Sequence, residues 1–329
     1  MNFIAVLAAL ALEQWRAFRW RGALERIFVR YARMLERKLN GGTAQQGLIA
    51  MAAALAPPVL AAALVFWAVD AVHPLLGLVW NVVVLYLLMG FRRFSHAFSD
   101  IAAALKAGDV NRARRALSVW RGGVTAELSS AQVATLAVER GFLDAYRQVF
   151  ATLFWFTVLP GPAGAVLYRA AALLADEWRG EAVGVDITPI ARAREEFGRP
   201  ARRLLWLLDW IPVRLTALSF AIVGDFEDAV LCWRTQANAW ATQDGGVHAG
   251  IVLASGAGAL GLVLGGPIPV LGGEPDFRPE LGLGDPADAD LLPSAVGLGW
   301  RALILWLLLI LLLTLANWRR SPGAVARVP

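Results

Sequence analysis

The apolar stretch at residues 47–69 most constrains the fold of this sequence, because it holds 23 residues without a charged side chain. About 20 consecutive apolar residues span a bilayer as a helix. This stretch therefore predicts a transmembrane helix, in which Pro57 and Pro58 are expected to introduce a kink. Similar apolar stretches recur along the chain. Together they predict five spans, near residues 47–69, 72–90, 149–175, 204–224 and 298–318.

The composition of the whole chain supports a membrane protein. Of the 329 residues, 58% are hydrophobic and 17% are charged, whereas a soluble domain is about half apolar and a quarter charged. We therefore predict an all-α fold, a polytopic integral membrane helical bundle with cytoplasmic helical segments, formed by residues 1–329 as a single domain. Two further apolar stretches, residues 1–12 and 250–273, are candidates for membrane-embedded segments.

The net charge of +5 is explained better by membrane topology than by nucleic-acid binding, because the basic residues lie in particular loops. Residues 13–46 hold eight Arg and Lys, and residues 91–147 hold nine. Loops rich in Arg and Lys stay on the cytoplasmic side. We expect a multi-pass protein of a bacterial-type inner membrane, with the lipid bilayer as its partner. Residues 13–46 predict either an amphipathic helix on the membrane face or a solvated helix packed on the protein.

The cysteine and histidine content argues against a soft-metal centre. The single cysteine, Cys232, excludes an internal disulfide and any cysteine-based metal cluster. The three histidines lie far apart in the sequence. We predict no resident metal and no cofactor.

The stretch LDWIPVRL, residues 208–215, places Asp209 and Arg214 inside an otherwise apolar run. Charged side chains at membrane depth are costly and are normally buried against a partner or a wet cavity. Pro212 removes one backbone donor between them. This pattern indicates either a structural ion pair beside a re-satisfied proline or a ligand or signalling site. The charges are five residues apart, so their contact needs a kink at Pro212, or else partners elsewhere such as Asp144 and Arg202.

The glycine-rich stretch around Gly261, Gly265 and Gly266 has two interpretations. Close helix packing through small residues is the ordinary one. A phosphate-binding loop is the sharper one, but GGP at residues 265–267 lacks the Lys and Ser/Thr of a P-loop.

Four stretches carry a resemblance to a known family. They are the start MNFIAVLAALALEQW, the segment 98–180, LDWIPVRLTALSFAIVGDFEDAV at 208–230, and GALGLVLGGP at 258–267. In these stretches the chain resembles the CobD/CbiB family, whose enzymes are adenosylcobinamide-phosphate synthases. LDWIPVRL is similar in particular to the AmpE branch, a membrane protein linked to β-lactamase induction. The enzyme branch implies condensation of a corrinoid carboxyl with an aminopropanol or its phosphate, with ATP and Mg²⁺.

Most acidic positions of the family motifs carry other residues here. The family's Glu-Asn-Thr-Val-Asp element falls on residues 140–144, where only Asp144 remains acidic. The opening acidic turn is reduced to Glu13, and a later element keeps one acid, Asp176, in a shifted position. Since Mg²⁺ needs carboxylate ligands, these replacements favour loss of the reaction.

We therefore formulate two main hypotheses. The first is a non-catalytic AmpE-like inner-membrane protein that modulates envelope or β-lactamase-induction signalling through an unknown protein partner or small ligand. The second is a divergent adenosylcobinamide-phosphate synthase, in which Glu13, Asp144, Asp176 and Asp209 converge on Mg²⁺. A transporter, suggested by the break PGPAG at 160–164, is a further alternative. The candidate ligand-binding or structural polar site comprises Glu13, Asp144, Asp176, Asp209, Pro212, Arg214, Gly265 and Gly266.

Overall fold

The structure, a computed structural model, describes residues 2–15, 21–123, 125–179, 189–269 and 275–319. Its helices in chain order are α1 (Asn2–Trp15), α2 (Arg21–Leu39), α3 (Ala44–Val72), α4 (Pro74–Leu88), α5 (Phe91–Lys106), α6 (Val110–Arg121), α7 (Ser130–Ala145), α8 (Ala151–Val158), α9 (Ala163–Glu177), α10 (Pro189–Val223), α11 (Phe226–Gln236), α12 (Gly246–Leu260) and α13 (Leu292–Arg319). Three short strands, β1 (Leu262–Ile268), β2 (Asp276–Gly282) and β3 (Asp285–Pro286), complete the chain. The predicted all-α membrane fold is confirmed, with this small sheet as an unpredicted addition.

Among the described residues, three helices are long and apolar enough to cross a membrane: α3, residues 191–223 of α10, and residues 292–316 of α13. The predicted spans 47–69, 204–224 and 298–318 fall on them. The predicted segments 1–12 and 72–90 fall on the shorter apolar helices α1 and α4. The number of crossings stays a prediction.

The chain divides into two compact units, whereas the sequence was interpreted as one domain. The first unit comprises Met1–Met89 and Ala151–Trp210, and the second comprises Gly90–Phe150 and Ile211–Pro329. The division falls within α10. In the first unit, α3 packs against α2, α4 and α9, and α1 packs against α4. The α3–α4 hairpin turns at His73, whose Nδ1 accepts a hydrogen bond from the Leu75 N–H, while Pro74 begins α4.

One proline in each of two long helices frees a carbonyl oxygen, which then accepts a hydrogen bond from an aromatic side chain. A proline at position i leaves the carbonyl at i−4 without its helical donor. Pro57 thus frees the Ala53 carbonyl, which accepts a hydrogen bond from the Tyr31 hydroxyl at 2.9 Å. Pro212 frees the Leu208 carbonyl, which accepts from the Trp155 indole N–H at 3.0 Å. Both helices therefore continue through their prolines.

The predicted span 149–175 is interrupted in the structure. A π-helical turn (Tyr146–Phe150) joins α7 to α8, which ends at Val158. A turn with Gly161 at φ +65° then leads into α9. The two helices hold 8 and 15 residues, so the break PGPAG separates two short helices rather than kinking one long one.

The second unit is built around α12, in which the residues from His248 to Ala259 are all buried. Helices α7, α11 and α13 and the sheet pack against it. The sheet has the order β2-β1-β3, with β2 antiparallel and β3 parallel to β1.

Residues 250–273 do not form one continuous helix in the structure, and their place in a membrane stays a prediction. Helix α12 ends where Gly261 adopts φ +65° and its N–H donates to the carbonyls of Ala257 and Gly258. Residues 262–268 then form β1, and residues 270–273 lie outside the described residues. The left-handed glycine stops the helix. The prediction that two helices pack through Gly261 and Gly265 is wrong, because Gly261 caps a helix and Gly265 lies in a strand.

Candidate functional site

An irregularity in the sheet exposes a backbone N–H of β1. The pairing of β1 with β2 shifts between Leu264 and Gly266, so that Gly265 lies in a bulge. Its φ is +88°, and a Cβ atom there would overlap the Pro279 carbonyl oxygen. Only glycine fits such a position without strain. The bulge turns the Gly265 N–H towards α7 instead of towards β2.

Glu139 of α7 accepts a hydrogen bond from that N–H and completes a network of three residues. Its Oε1 accepts from the Gly265 N–H at 2.9 Å, and its Oε2 accepts from Arg278 Nη1 at 2.6 Å. Arg278 also donates through Nη2 to the Gly265 carbonyl at 3.2 Å. The side chains of Arg278 and Glu139 are 6% and 8% exposed. We call Glu139, Gly265 and Arg278 the bulge network.

Neighbouring contacts hold the bulge network in place. Ser129 and Gln132 form a capping box at the start of α7, and Gln132 Nε2 also donates to the Pro267 carbonyl at 3.0 Å. The Arg278 guanidinium carbon lies 5.5 Å from the centroid of the Trp240 ring, within the range of a cation–π contact. Two hydrogen bonds therefore fix residues 265–267 of β1 to α7, one from the Gly265 N–H to Glu139 and one from Gln132 to the Pro267 carbonyl.

Asp144 lies further along α7 and belongs to a separate set of contacts. It is 6% exposed. Its Oδ2 accepts from the Trp120 indole N–H at 2.9 Å, and its Oδ1 lies 3.2 Å from Arg140 Nε. Five residues separate Asp144 from Glu139, which corresponds to about 140° around the helix. The two acids therefore face different neighbours, Asp144 towards α6 and Glu139 towards the sheet.

Arg121, the last residue of α6, adds a cation near the bulge network. Desolvation lowers the pKa of its guanidinium; the Glu139 carboxylate opposes this shift and the Arg278 guanidinium adds to it. The residue as a whole is exposed. No hydrogen bond or ion pair joins Arg121 to another described residue.

Three of the predicted site residues lie in the first unit. Asp209 is 5% exposed, and its Oδ1 accepts from the Tyr168 hydroxyl at 2.8 Å. Glu13 is buried on α1, whereas Asp176 is exposed near the end of α9. The three acids lie on three different helices and share no helix face. The buried carboxylate of Asp209 is stabilised by the hydrogen bond from Tyr168.

Pro212 and Arg214 lie on α10 beyond Asp209. Pro212 is buried, and its carbonyl accepts from the Thr216 hydroxyl at 2.8 Å. Arg214 is half-buried. Of the other suggested partners, Arg202 donates to the Glu195 carbonyl at 2.9 Å, and Asp144 contacts Trp120 and Arg140. Energetic coupling between Asp209 and Arg214 stays a prediction.

Comparison with known proteins identifies the family. The sequence model of the CobD/Cbib protein family matches residues 6–298. The chain belongs to the CobD/CbiB family. A family member from Stutzerimonas stutzeri, named cobalamin biosynthesis protein CobD, is 35% identical over 314 residues, which cover 94% of this chain and 97% of that protein. A protein of the same name from Chromobacterium violaceum is 37% identical over 261 residues, covering 79% and 77%. No solved structure matches the chain.

These relatives overturn the hypothesis of a non-catalytic AmpE-like signalling modulator. Proteins that match this chain over nearly its whole length carry the name of a cobalamin biosynthesis protein. The similarity of LDWIPVRL to AmpE therefore does not indicate the function. In the structure that stretch has a folding role, because Trp155 satisfies the carbonyl that Pro212 frees and Tyr168 satisfies Asp209.

The Mg²⁺ that the CobD/CbiB resemblance implies does not have a preformed cage among the described residues. They contain no group of three or more His, Cys, Asp or Glu side chains that could hold a metal ion. The four acids Glu13, Asp144, Asp176 and Asp209 thus do not form the converging set that the enzyme hypothesis expected. Mg²⁺ is often bound by one or two carboxylates together with substrate phosphates, so we assign no protein ligands to it.

Reasoning from the sequence missed Glu139 and Arg278. Glu139 stands one position before residues 140–144, on which the family's acidic element falls, so the resemblance does not reveal it. The available signal was a carboxylate within the largely apolar run 133–143, at a spacing of seven from Gln132. Arg278 gave no signal, because its partner lies 139 residues away in the sequence.

Proposed function

We propose that this chain is a multi-pass enzyme of a bacterial-type inner membrane that acts in cobalamin biosynthesis as an adenosylcobinamide-phosphate synthase. One observation carries the proposal: the relative from Stutzerimonas stutzeri, named cobalamin biosynthesis protein CobD, aligns with 94% of this chain and 97% of its own length. The match therefore extends over both units of the chain.

The proposed reaction joins a corrinoid carboxyl to the amine of an aminopropanol or its phosphate. A carboxylate does not react directly with an amine, so the carboxyl is activated at the expense of ATP and the amine then displaces the activating group. Such chemistry places several negative charges in one site. Fixed cations and backbone donors stabilise charge of this kind most effectively where water is excluded.

The second unit offers cations suited to anionic substrates. Arg121 is the strongest candidate to contact a phosphate, since its guanidinium is partly desolvated and unengaged by the described residues. Arg278 already donates to Glu139 and to the Gly265 carbonyl, so we assign the bulge network a positioning role. It fixes the bulge of β1 against α7. Mg²⁺ and ATP enter the proposal through the family reaction alone.

Complementation of a bacterial strain that lacks its own adenosylcobinamide-phosphate synthase tests the proposal. The parent chain should restore cobalamin-dependent growth without added cobinamide. Arg121→Gln should reduce this growth, whereas Arg115→Gln, which removes an exposed arginine of the same helix, should not. Membrane levels of each variant are measured by immunoblot. Failure of a parent chain that accumulates in the membrane would contradict the proposal.

A further inference from the structure

Helix α2 carries an unusual outward surface, on which large apolar side chains are exposed beside arginines. Leu24, Ile27 and Met34 are 45%, 62% and 42% exposed. At 100° per residue they fall within about 80° of the helix circumference. Arg26, Arg30 and Arg37 are also exposed and occupy an adjacent sector about 40° wide. We call these six residues the outward face of α2.

The opposite side of α2 is docked on the first unit. Ala32 is fully buried, and its carbonyl accepts from the Trp178 indole N–H at 3.3 Å. Arg169 and Glu25 form an ion pair at 3.0 Å with side chains 12% and 29% exposed. The orientation of α2 about its axis is thereby fixed. The outward face is therefore a permanent feature of the surface and not one side of a freely rotating helix.

The length of α3 places α2 at the edge of the bilayer. The 29 residues of α3 rise about 43 Å, whereas the hydrocarbon core is about 30 Å thick. About nine residues therefore extend beyond the core. They are residues 70–72 at the end of α3, which begin with the exposed Asp70, and about six residues at its polar start, where Gln45 and Gln46 lie. Tyr31 bonds to the Ala53 carbonyl, close to where the remaining 20 residues begin.

The N-terminal half of α2 reaches the level of the hydrocarbon boundary. Leu24 and Phe28 line a cavity of about 160 Å³ together with Pro58 of α3, five residues beyond Ala53. Exposed apolar side chains at this level can enter the acyl region, while neighbouring arginines extend to the phosphates. A second copy of the same face is a poor partner, because it would bring arginines against arginines.

We propose that the outward face of α2 binds anionic phospholipid headgroups, with Leu24 and Ile27 in the acyl region and Arg26 and Arg30 on the phosphates. Basic residues at such a surface are attracted to anionic lipid and not to zwitterionic lipid. This site anchors the unit that contains α2 to the bilayer. It does not depend on the proposed function.

Lipid-borne quenching of a fluorophore at position 27 tests this in the full-length chain. Ile27→Cys is made with Cys232→Ala, which removes the buried native cysteine, and is labelled with bimane. The protein is reconstituted in phosphatidylcholine vesicles that contain headgroup spin-labelled phosphatidylglycerol or phosphatidylcholine. Labels at Leu64 on α3 and Val119 on α6, which are 66% and 86% exposed, give the reference for a bilayer and an aqueous position.

The label at position 27 should be quenched more strongly by the anionic lipid, whereas the label at 64 should show no such preference and the label at 119 little quenching. Arg26→Gln with Arg30→Gln should lower the preference by about fivefold for each arginine, since each basic residue at an anionic surface contributes about 1 kcal/mol. Arg26→Lys with Arg30→Lys should retain it.

The matched control Arg112→Gln with Arg115→Gln, a pair of exposed arginines on α6, should leave the preference unchanged. An unquenched label at position 27 would show a solvated helix, and equal quenching by both lipids would show no role for charge. Either result overturns the proposal. Loss of the preference in the control pair, or its persistence in Arg26→Gln with Arg30→Gln, would also overturn it.

Discussion

Glu139 is a buried acid of the second unit, and each of its carboxylate oxygens has a separate partner. One partner is a backbone N–H and the other a buried guanidinium. Charges removed from water persist only when their partners are well placed. The pair with Arg278 therefore fixes a geometry, and its net contribution to stability is smaller than its short distance suggests.

We expect Glu139→Gln to destabilise the protein by about 3 kcal/mol, because Arg278 is left as a buried charge without its counter-ion. Arg278→Met should have a comparable effect by isolating Glu139. The double variant with Glu139→Gln and Arg278→Met should lose clearly less than the sum of the two single losses. Unfolding in mixed micelles measures all four free energies, and simple additivity would show that the two side chains act independently.

A second residue-scale prediction concerns the carbonyl that Pro212 frees. Trp155→Phe removes the donor to the buried Leu208 carbonyl and should cost about 1–3 kcal/mol. Pro212→Ala restores a backbone N–H at the position that a helix normally uses. The same Trp155→Phe change should therefore cost much less in a Pro212→Ala background. An equal cost in both backgrounds would mean that Trp155 acts through packing alone.

At the scale of elements, hydrogen bonds join α7 to the β1–β2 bulge. Helix α7 contacts residues 265–267 of β1 through Gln132 and Glu139, and Arg278 of β2 completes the network. The bulge needs glycine at position 265 for two reasons, its positive φ and the close approach of Pro279. Gly261 has a similar φ, but open space surrounds its missing Cβ.

This difference gives a matched pair of substitutions. Gly261→Ala should cost about 1 kcal/mol from backbone strain alone. Gly265→Ala carries the same strain, must also displace the Pro279 carbonyl, and should disrupt the bulge network, so it should cost at least about 3 kcal/mol. Thermal unfolding of both variants in detergent checks the order. Equal losses would show that the close approach of Pro279 is not important for stability.

The long helices could be predicted because their signal is local. An uncharged run such as residues 47–69 has few other stable structures in lipid. The sheet could not be predicted, since residues 250–269 lack charge and resemble a span, whereas β1 is determined by its pairing with β2, which the local pattern does not reveal. Glu139 was missed for the same reason: nothing near it in sequence reveals Arg278. Asp144, Asp209 and Gly265 are conspicuous in the sequence, but the contacts that each makes are visible only in the structure.

At the scale of the whole molecule, the match to the CobD/Cbib family model extends over residues 6–298, although the resemblance implies acids at several positions that carry other residues here. The relatives named cobalamin biosynthesis protein CobD cover both units. The replaced acids first suggested that the reaction had been lost. Glu139, one residue from the expected position, shows that a changed motif can still place a buried carboxylate in the fold.

The most direct test is an assay of the purified full-length chain for the amide product. The detergent-solubilised protein is incubated with the corrinoid acid, aminopropanol phosphate, ATP and Mg²⁺, and the corrinoids are separated and weighed by mass spectrometry. The account predicts a new corrinoid whose mass equals that of the acid plus the amine minus one water, formed only when ATP and the protein are both present. A folded protein that leaves the corrinoid acid unchanged under these conditions would contradict the account.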